Sequence, residues 1–212
     1  GYPEGLDPPY KESDFFNGFP DENSFGYSMA KKSLVVQSLA YRKQYGFDST
    51  IMLPANLYGP NDNFDLDTSH VVPALIRKFV DAKKNNSEQV VIWGSGEASR
   101  EFLYVKDAAF AIVEMAEKGT ETGPFNLGTG KEHTVVELIE VISKATGYTG
   151  RVIWDTTKPD GQKRRVYDMS KLKEHIGFVP RTTLKQGISE TVDWFKDNYI
   201  PEPNKAWKEY AK

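Results

Sequence analysis

A tyrosine and a lysine stand four residues apart in the stretch FGYSMAKKSLVVQ, as Tyr27 and Lys31. Residues at this spacing share one face of a helix. A lysine ammonium close to a phenol favours the phenolate and brings proton exchange toward neutral pH. Tyr27 is therefore a candidate general acid or base. Spacing alone does not decide the matter, because Tyr167 and Lys171 repeat it in VYDMSK.

The surroundings of the two tyrosines differ. Tyr27 opens a long predicted helix, and the strand after that helix runs into PANLYGPNDNF. Tyr167 stands beside two arginines in a short stretch that reads as polar. The sequence around Tyr27 therefore favours the first pair as the catalytic one.

A histidine adds a second group that can exchange protons. His70 follows Thr68 and Ser69, either of which is a predicted N-cap, so it lies at a helix N-terminus, where the macrodipole disfavours imidazolium. A neutral imidazole in a cleft can accept or give a proton. The alternative is a surface histidine in the first turn of the helix.

Two further stretches could bind a nucleotide. In VIWGSGEASREFLYV the Trp93 indole could stack on a purine and the Arg100 guanidinium could bind a diphosphate, or the pattern is a core tryptophan and a surface ion pair with Glu101. The GSG is no dinucleotide fingerprint, because the G-x-G-x-x-G run is absent from the chain. KPDGQKRRVYD could close over phosphates or form a solvated basic turn; its cations are Lys163, Arg164 and Arg165.

Hydrophobic periodicity predicts the elements that hold these residues. A helix of about five turns runs from Tyr27 to Tyr45 and ends at Gly46. Three more helices are expected in VKDAAFAIVEMAEKG, which closes at Gly119, in TVVELIEVISKATG and in TLKQGISETVDWFKDNY, and one in TSHVVPALIRKFVDAKKN with Pro73 in its first turn. Strands are expected in STIMLPANLYGP, QVVIWGSG, GPFNLGTG and RVIWDT. This alternation predicts an α/β fold with parallel strands.

Composition narrows the class of protein. The 212 residues include 27 Lys+Arg and 30 Asp+Glu, for a net charge of −3, so there is no basic field for nucleic acid. No apolar run approaches the roughly 20 residues of a membrane span, and we expect no membrane partner. With no cysteine and only three histidines, widely spaced, a metal site is not expected, and the composition is compatible with the cytoplasm. Gly1 in place of an initiator Met, at the start of a Pro-rich loop, suggests a fragment.

Five stretches taken in order point to a family: YSMAK, PANLYGPNDNF, SHVVPALIRKF, WGSGEASREFLYVKD and DTTKPDGQ. They resemble the extended short-chain dehydrogenase/reductases that act on nucleotide sugars, and within them the GDP-L-fucose synthase branch. The resemblance runs from about Tyr2 to the last helix. It implies epimerisation of GDP-4-keto-6-deoxy-mannose at both carbons beside the ketone, followed by NADPH reduction to GDP-L-fucose; NAD is the alternative cofactor.

The resemblance also implies roles for single residues. Tyr27 would be the acid at the carbonyl oxygen, Lys31 would hold the nicotinamide ribose, and His70 would contact the cofactor and serve in the epimerisation pair. The cofactor-contacting strand end would be Pro54, Ala55, Asn56 and Leu57. The GDP portion would be held by Lys78, Trp93, Arg100 and Asp160, with Arg77 as an adjacent candidate.

The fold implied is the carboxyl-terminal part of a Rossmann-like, doubly wound parallel sheet plus a smaller α/β substrate-binding domain. Residues 1–58 would be the remnant of the NAD(P)-binding domain, and 59–212 mainly the substrate-binding domain, with 101–128 packing back on the first. The glycine-rich loop and an assisting Ser and Cys would lie before Gly1, so the chain alone is expected to be inactive. The YxxxK helix would form a homodimer interface in the full-length enzyme, and part of the apolar face in LVVQSLAY would be exposed here.

Two alternatives remain open on the sequence. Another nucleotide-sugar enzyme of the superfamily, a 4-epimerase or a 4,6-dehydratase, would share Tyr27, Lys31 and Arg100 but would not require His70. A non-catalytic nucleotide-sugar-binding or dimerisation module, descended from such an enzyme, fits the missing loop and thiol equally well.

Overall fold

The computed structural model describes residues 1–118 and 123–199. Within them, two 3₁₀ helices, Glu12–Phe16 and Glu22–Ser24, precede the first α-helix. The α-helices are α1 (Phe25–Tyr45), α2 (Val71–Lys84), α3 (Val105–Lys118), α4 (Val135–Thr146), α5 (Ser170–Ile176) and α6 (Leu184–Asn198). The strands are β1 (Met52–Pro54), β2 (Asn56–Tyr58), β3 (Gln89–Trp93), β4 (Ser99–Arg100), β5 (Phe102–Tyr104), β6 (Phe125–Leu127), β7 (His133–Thr134), β8 (Arg151–Asp155) and β9 (Arg164–Arg165).

Most strand pairs are parallel. β1 pairs with β6, β2 with β5 and β3 with β8, each in parallel register. β4 lies between β9, to which it is parallel, and β7, to which it is antiparallel. The predicted α/β fold with parallel strands is confirmed, and the proposed division at residue 58 stays a prediction.

The predicted single strand in STIMLPANLYGP is two short strands. Pro54 has no N–H to continue a ladder, and the Ala55 N–H donates to the Leu127 carbonyl at 2.8 Å. Beyond that bond the chain leaves β6 and takes β5 as its partner. The change of partner places residues 54–57 where two strand pairs meet.

Three apolar clusters hold the fold together. The largest lies where α2, α4 and α6 pack on one another and on β3 and β5. A second lies between α3, α5 and β6. The third is aromatic and fixes the N-terminal segment, with the Tyr2 ring centroid 5.3 Å from each of the rings of Tyr10, Phe15 and Tyr167.

Helix α1 is held by one narrow face. It ends as predicted at Gly46, which adopts the left-handed conformation with φ 66°. Its buried side chains are Ser28, Lys32 and Val35, and the Lys32 ammonium donates to the Gly18 carbonyl at 2.9 Å. The apolar side chains Leu34, Val36, Leu39, Tyr41 and Tyr45 are exposed. The expected exposure of part of LVVQSLAY is therefore observed.

Helix α2 begins later than predicted. Its N-cap is His70 and not Thr68 or Ser69. The Asp65 carboxylate accepts hydrogen bonds from the Thr68 N–H at 3.1 Å and from the Thr68 hydroxyl at 3.0 Å. The hydroxyl that was predicted to cap the helix is therefore used in a turn closed by Asp65. The Ser69 hydroxyl makes no hydrogen bond within the described part of the chain.

The end of α3 and the prediction that the chain does not cross a membrane remain to be compared with the structure. Gly119, the predicted end of α3, lies outside the described residues, as does the tail after Tyr199. Among the helices that are described, none is both long and apolar enough to cross a bilayer.

Candidate active site

A cleft of about 800 Å³ contains most of the predicted catalytic and cofactor residues. Tyr27 reaches it from the first turns of α1, and His70 from the N-terminus of α2. Between them, its wall includes the junction of β1 and β2, which supplies Pro54, Ala55, Asn56 and Leu57. We call this space the catalytic cleft.

The Tyr27 and Lys31 side chains meet at the edge of this cleft. The Lys31 ammonium lies over the Tyr27 ring, 5.4 Å from its centroid. Tyr27 is 68% exposed, so its hydroxyl is open to a ligand. The i and i+4 spacing thus brings the ammonium and the aromatic ring together, and the catalytic role of the pair stays a prediction.

The second tyrosine–lysine pair is not a couple. Tyr167 is buried in the aromatic cluster, although it stands in a short polar stretch of the sequence. The Lys171 ammonium donates to the Pro124 carbonyl at 3.0 Å and lies 4.3 Å from the Phe125 ring centroid. Tyr167 does line the catalytic cleft, but its lysine faces another strand.

His70 is exposed to the cleft and has an acidic neighbour there. Asp62, in the loop between β2 and α2, lines the same cleft. Burial raises the pKa of Asp62, while its bond from the Asn63 N–H and the charge of His70 lower it. The loop is fixed by bonds among its own polar side chains, including Asn63 Nδ2 to the Thr68 hydroxyl at 2.9 Å.

A second cleft of about 350 Å³ contains all four residues predicted to hold GDP. Lys78 comes from α2, Trp93 from the end of β3, Arg100 from β4 and Asp160 from the loop after β8. We call this second space the nucleotide cleft, after the predicted role of these four residues. Val71, the first residue of α2, lines both clefts. The two clefts are therefore adjacent, with His70 and Val71 at the boundary.

The Trp93 indole has the exposure of a binding surface. It is 66% exposed, which contradicts the alternative of a core tryptophan. Two ammonium groups lie over its ring, that of Lys78 at 5.8 Å and that of Lys158 at 5.6 Å from the centroid. An aromatic face flanked by cations suits a base that carries phosphates.

Asp160 is held by the loop after β3, and the Arg100 guanidinium donates to the Ser99 carbonyl at 2.8 Å. Asp160 accepts the Ser95 N–H at 2.6 Å and the Ser95 hydroxyl at 2.8 Å, and these bonds lower its pKa. Gly94 has φ +84°, and a Cβ there would overlap the Asp160 carboxylate. Burial and then the charge of Arg165 lower the pKa of Arg100.

Arg77 has a structural role. Its guanidinium donates to the Phe64 carbonyl at 2.9 Å and to the Tyr199 hydroxyl at 3.0 Å, and it pairs with Asp81 at 3.5 Å. It does not line the nucleotide cleft, so the adjacent candidate is not placed at the site.

The three cations of KPDGQKRRVYD separate. Arg164 binds Glu132 with two hydrogen-bonding nitrogens, Nε at 3.0 Å. The Lys163 carbonyl accepts the Ser99 N–H at 2.9 Å. Arg165 alone among the three lines the catalytic cleft. The sequence marked this loop as basic but did not single out Arg165.

Glu101 was misjudged from the sequence. The alternative interpretation paired it with Arg100 on the surface, yet Glu101 is 2% exposed and accepts backbone N–H groups from Thr129, Gly130 and Tyr167. The Asn56 amide donates to its carbonyl at 3.0 Å. Its place next to Arg100 and before the apolar FLY was the only local sign.

Comparison with known proteins gives the family. The model of the NAD dependent epimerase/dehydratase family matches residues 2–128, more than half of the chain. The chain belongs to this family. The matched range contains Tyr27, Lys31 and His70, but it ends before Asp160, so part of the nucleotide cleft lies beyond it.

Curated relatives in this family carry related names. The chain is 40% identical over 199 residues to a probable GDP-L-fucose synthase 1 of Oryza sativa subsp. japonica, covering 94% of this chain and 60% of the relative. It is 39% identical over 206 residues to the GDP-L-fucose synthase of Escherichia coli (strain K12), covering 93% and 64%. The chain thus spans about three fifths of the length of these relatives.

A solved structure agrees with the fold. A GDP-L-fucose synthetase from Naegleria fowleri bound to NADP superimposes with a TM-score of 0.88 at 29% identity, covering 93% of this chain and 64% of that one. Within the described residues, no group of His, Asp or Glu side chains is arranged to hold a metal ion.

Proposed function

We propose that this chain is part of a nucleotide-sugar epimerase/reductase that makes GDP-L-fucose from GDP-4-keto-6-deoxy-mannose with NADPH. The observation that carries the proposal is the adjacency of the two clefts at Val71. The catalytic cleft is lined by Tyr27 and His70. The nucleotide cleft is lined by the exposed indole of Trp93, which has lysine ammonium groups over its ring. A nucleotide sugar has the same order, with a base and phosphates at one end and a reactive hexose at the other.

The catalytic cleft supplies the groups for acid–base chemistry beside a ketone. A ketone acidifies the C–H bonds on its flanking carbons, so epimerisation needs a group that removes a proton and one that returns it on the opposite face. His70 serves as one of these groups. Tyr27 donates a proton to the carbonyl oxygen during reduction, with the Lys31 ammonium next to its ring.

The residues on the cleft wall fit the nicotinamide end of NADPH. The β1–β2 junction exposes a short wall between Tyr27 and His70, and Lys31 lies beside Tyr27 to hold the ribose. When bound there, the cofactor would supply a hydride to the carbonyl carbon. Pro54 to Leu57 would orient it, and NADPH rather than NADH is part of the proposal.

Relatives of fuller length imply the remaining proposals. Because the chain spans about three fifths of them, we propose that these 212 residues alone turn over no substrate, although they hold GDP. We further propose a cytoplasmic homodimer in which the exposed apolar face of α1, including Leu34 and Tyr41, is covered.

Turnover by the natural polypeptide that contains these residues tests the proposal. With GDP-4-keto-6-deoxy-mannose in D2O, the wild type should incorporate deuterium at both carbons beside the ketone and then form GDP-L-fucose. His70→Ala should slow the exchange about 100-fold or more, and Tyr27→Phe should slow the reduction by a similar factor. Lys171→Gln is the matched control, because its ammonium faces Pro124.

The same experiment separates the alternatives. Undiminished exchange in His70→Ala would contradict the assignment and favour a 4-epimerase or 4,6-dehydratase, which would share Tyr27, Lys31 and Arg100. Binding of GDP without any turnover by the natural polypeptide would favour the non-catalytic module.

A further inference from the structure

Two cations face each other across neighbouring strands at the boundary of the clefts. In the parallel pairing of β4 with β9, Arg100 is directly opposite Arg165. Like charges in this arrangement repel and destabilise the pairing. Among the ion pairs between described residues, none includes either arginine. The backbone bond from the Ser99 N–H to the Lys163 carbonyl, at 2.9 Å, holds the two strands together here, and a buried side chain adds to it.

The Glu101 carboxylate provides this added interaction on both sides of β4. One oxygen accepts the Tyr167 N–H at 2.8 Å, two residues beyond Arg165 on the β9 side. The other accepts the N–H groups of Thr129 and Gly130, the latter at 2.6 Å, in the turn that leads to β7. One buried side chain thus fastens both neighbours of the strand that carries Arg100.

The turn next to this carboxylate has space for it only because residue 128 is a glycine. A Cβ at Gly128 would overlap Glu101 Oε1, so the turn needs glycine at this position. Burial raises the pKa of Glu101, and the three N–H donors oppose that rise. The peptide of Glu101 also accepts the Asn56 amide, which links β4 to the wall of the catalytic cleft.

The two arginines lie one after the other in space, from the nucleotide cleft to the catalytic cleft. Arg100 lines the nucleotide cleft, and it also lines a small polar space of about 230 Å³ that Arg165 lines too. Arg165 in turn lines the catalytic cleft. An anion bound between the clefts would contact both guanidinium groups and offset their repulsion.

We propose that Glu101 is a positioning residue, whose carboxylate holds β9 against β4 so that Arg165 stands beside Arg100 as one anion-binding pair. The inference rests on the proposed function, since the anion it serves is the diphosphate of a nucleotide sugar. Glu101 also lines the catalytic cleft, and in this proposal its effect on the diphosphate comes through Arg165.

Calorimetric titration with GDP of the natural polypeptide that contains these residues tests the inference. Glu101→Gln replaces one acceptor oxygen with an amide that faces an N–H, and GDP should bind about tenfold more weakly. Arg165→Gln should weaken binding by a similar factor. The double variant should be no weaker than either single variant, because both changes remove the same contact.

Two controls separate positioning from general damage. Glu97→Gln alters an exposed glutamate in the loop before β4, and Arg164→Gln alters the neighbouring cation that binds Glu132. Both should bind GDP within about twofold of the wild type, because neither side chain lines the two clefts or the space between them. Thermal unfolding of each variant shows whether the fold is retained.

The outcomes distinguish the inference from the function on which it rests. If the wild type binds no GDP, the proposed function fails. If the wild type binds GDP but Arg165→Gln leaves its affinity unchanged, or the Glu101 and Arg165 effects add, the inference fails and the function stands. If Glu101→Gln does not fold, Glu101→Asp keeps the charge and withdraws it by one methylene. Unchanged affinity in that variant, or loss of folding in both, refutes positioning through Arg165.

Discussion

Asn126, at the centre of β6, should be one of the most sensitive polar positions in the chain. It is fully buried, and its side chain accepts the Tyr2 hydroxyl. Its amide nitrogen donates to the Tyr10 carbonyl at 2.8 Å and to the Asp168 carbonyl at 3.1 Å. One side chain therefore joins the N-terminal segment, the strand and the segment after β9. Gly1 and Tyr167, from two of these three segments, line the catalytic cleft.

The cost of Asn126→Ala can be worked out from these contacts. Three hydrogen bonds are lost, at about 1 kcal/mol each in net terms. The buried Tyr2 hydroxyl is left without its acceptor, which costs about 1 kcal/mol more. We expect the free energy of unfolding to fall by about 4 kcal/mol, a large part of the 5 to 15 kcal/mol typical of a domain.

Urea unfolding followed by tryptophan fluorescence measures this change. Asn198→Ala is the matched control, because that amide donates to the Trp194 carbonyl at 2.9 Å on the exposed face of α6 and should cost less than about 1 kcal/mol. Tyr2→Phe should cost about 1 to 2 kcal/mol alone and almost nothing further in the Asn126→Ala background. A loss below about 1 kcal/mol for Asn126→Ala would refute the reasoning.

Three further predictions concern pH and the two tyrosine–lysine pairs. Burial raises the pKa of Tyr58, so this phenol deprotonates first in the unfolded chain as pH rises. The free energy of unfolding should therefore fall above pH 10, by about 1.4 kcal/mol per pH unit for this group. Tyr58→Phe should flatten that slope in alkaline denaturation. The hydrogen bonds from Arg164 lower the pKa of Glu132. Their stabilisation is therefore present above pH about 4.5 and is lost as pH falls through the pKa of the folded state. In an acid titration Arg164→Gln should unfold at a higher pH than the wild type, and an unchanged midpoint would contradict this. Lys31→Gln should reduce turnover by the natural polypeptide about 100-fold, whereas Lys171→Gln should lower only its melting temperature; equal losses of activity would show that spacing and not contact matters.

The elements that sequence predicts well are those with a local signal. Helix α1 ends at Gly46 because glycine adopts the left-handed conformation without a steric cost. Helix α4 begins at a capping box, with Thr134 and Glu137 exchanging bonds to each other's N–H groups, and such a signal is visible in the letters. Most of the positions assigned by family resemblance line the two clefts, whereas Lys31 and Arg77 do not, and the roles of all of them stay predictions.

The elements that sequence misses depend on distant partners. Strands β4, β7 and β9 have two residues each, too few for any periodicity, and they form because residues near 99, 133 and 164 meet in space. The start of α2 was misplaced because Asp65 uses the Thr68 hydroxyl before the helix can. Glu101 looks like a surface charge in REFLY, and only the fold shows that backbone donors surround it.

The N-terminal segment connects the helix that carries Tyr27 to strand β6. Helix α1 is fastened by few buried side chains, of which Lys32 donates to Gly18 and lies 5.3 Å from the Phe15 ring centroid. Phe15 in turn packs on Tyr2, which bonds to Asn126. The aromatic cluster thus links the helix that carries the candidate acid to the β1–β6 strand pair, which lies next to residues 54–57. A change at Asn126 should therefore alter catalysis as well as stability.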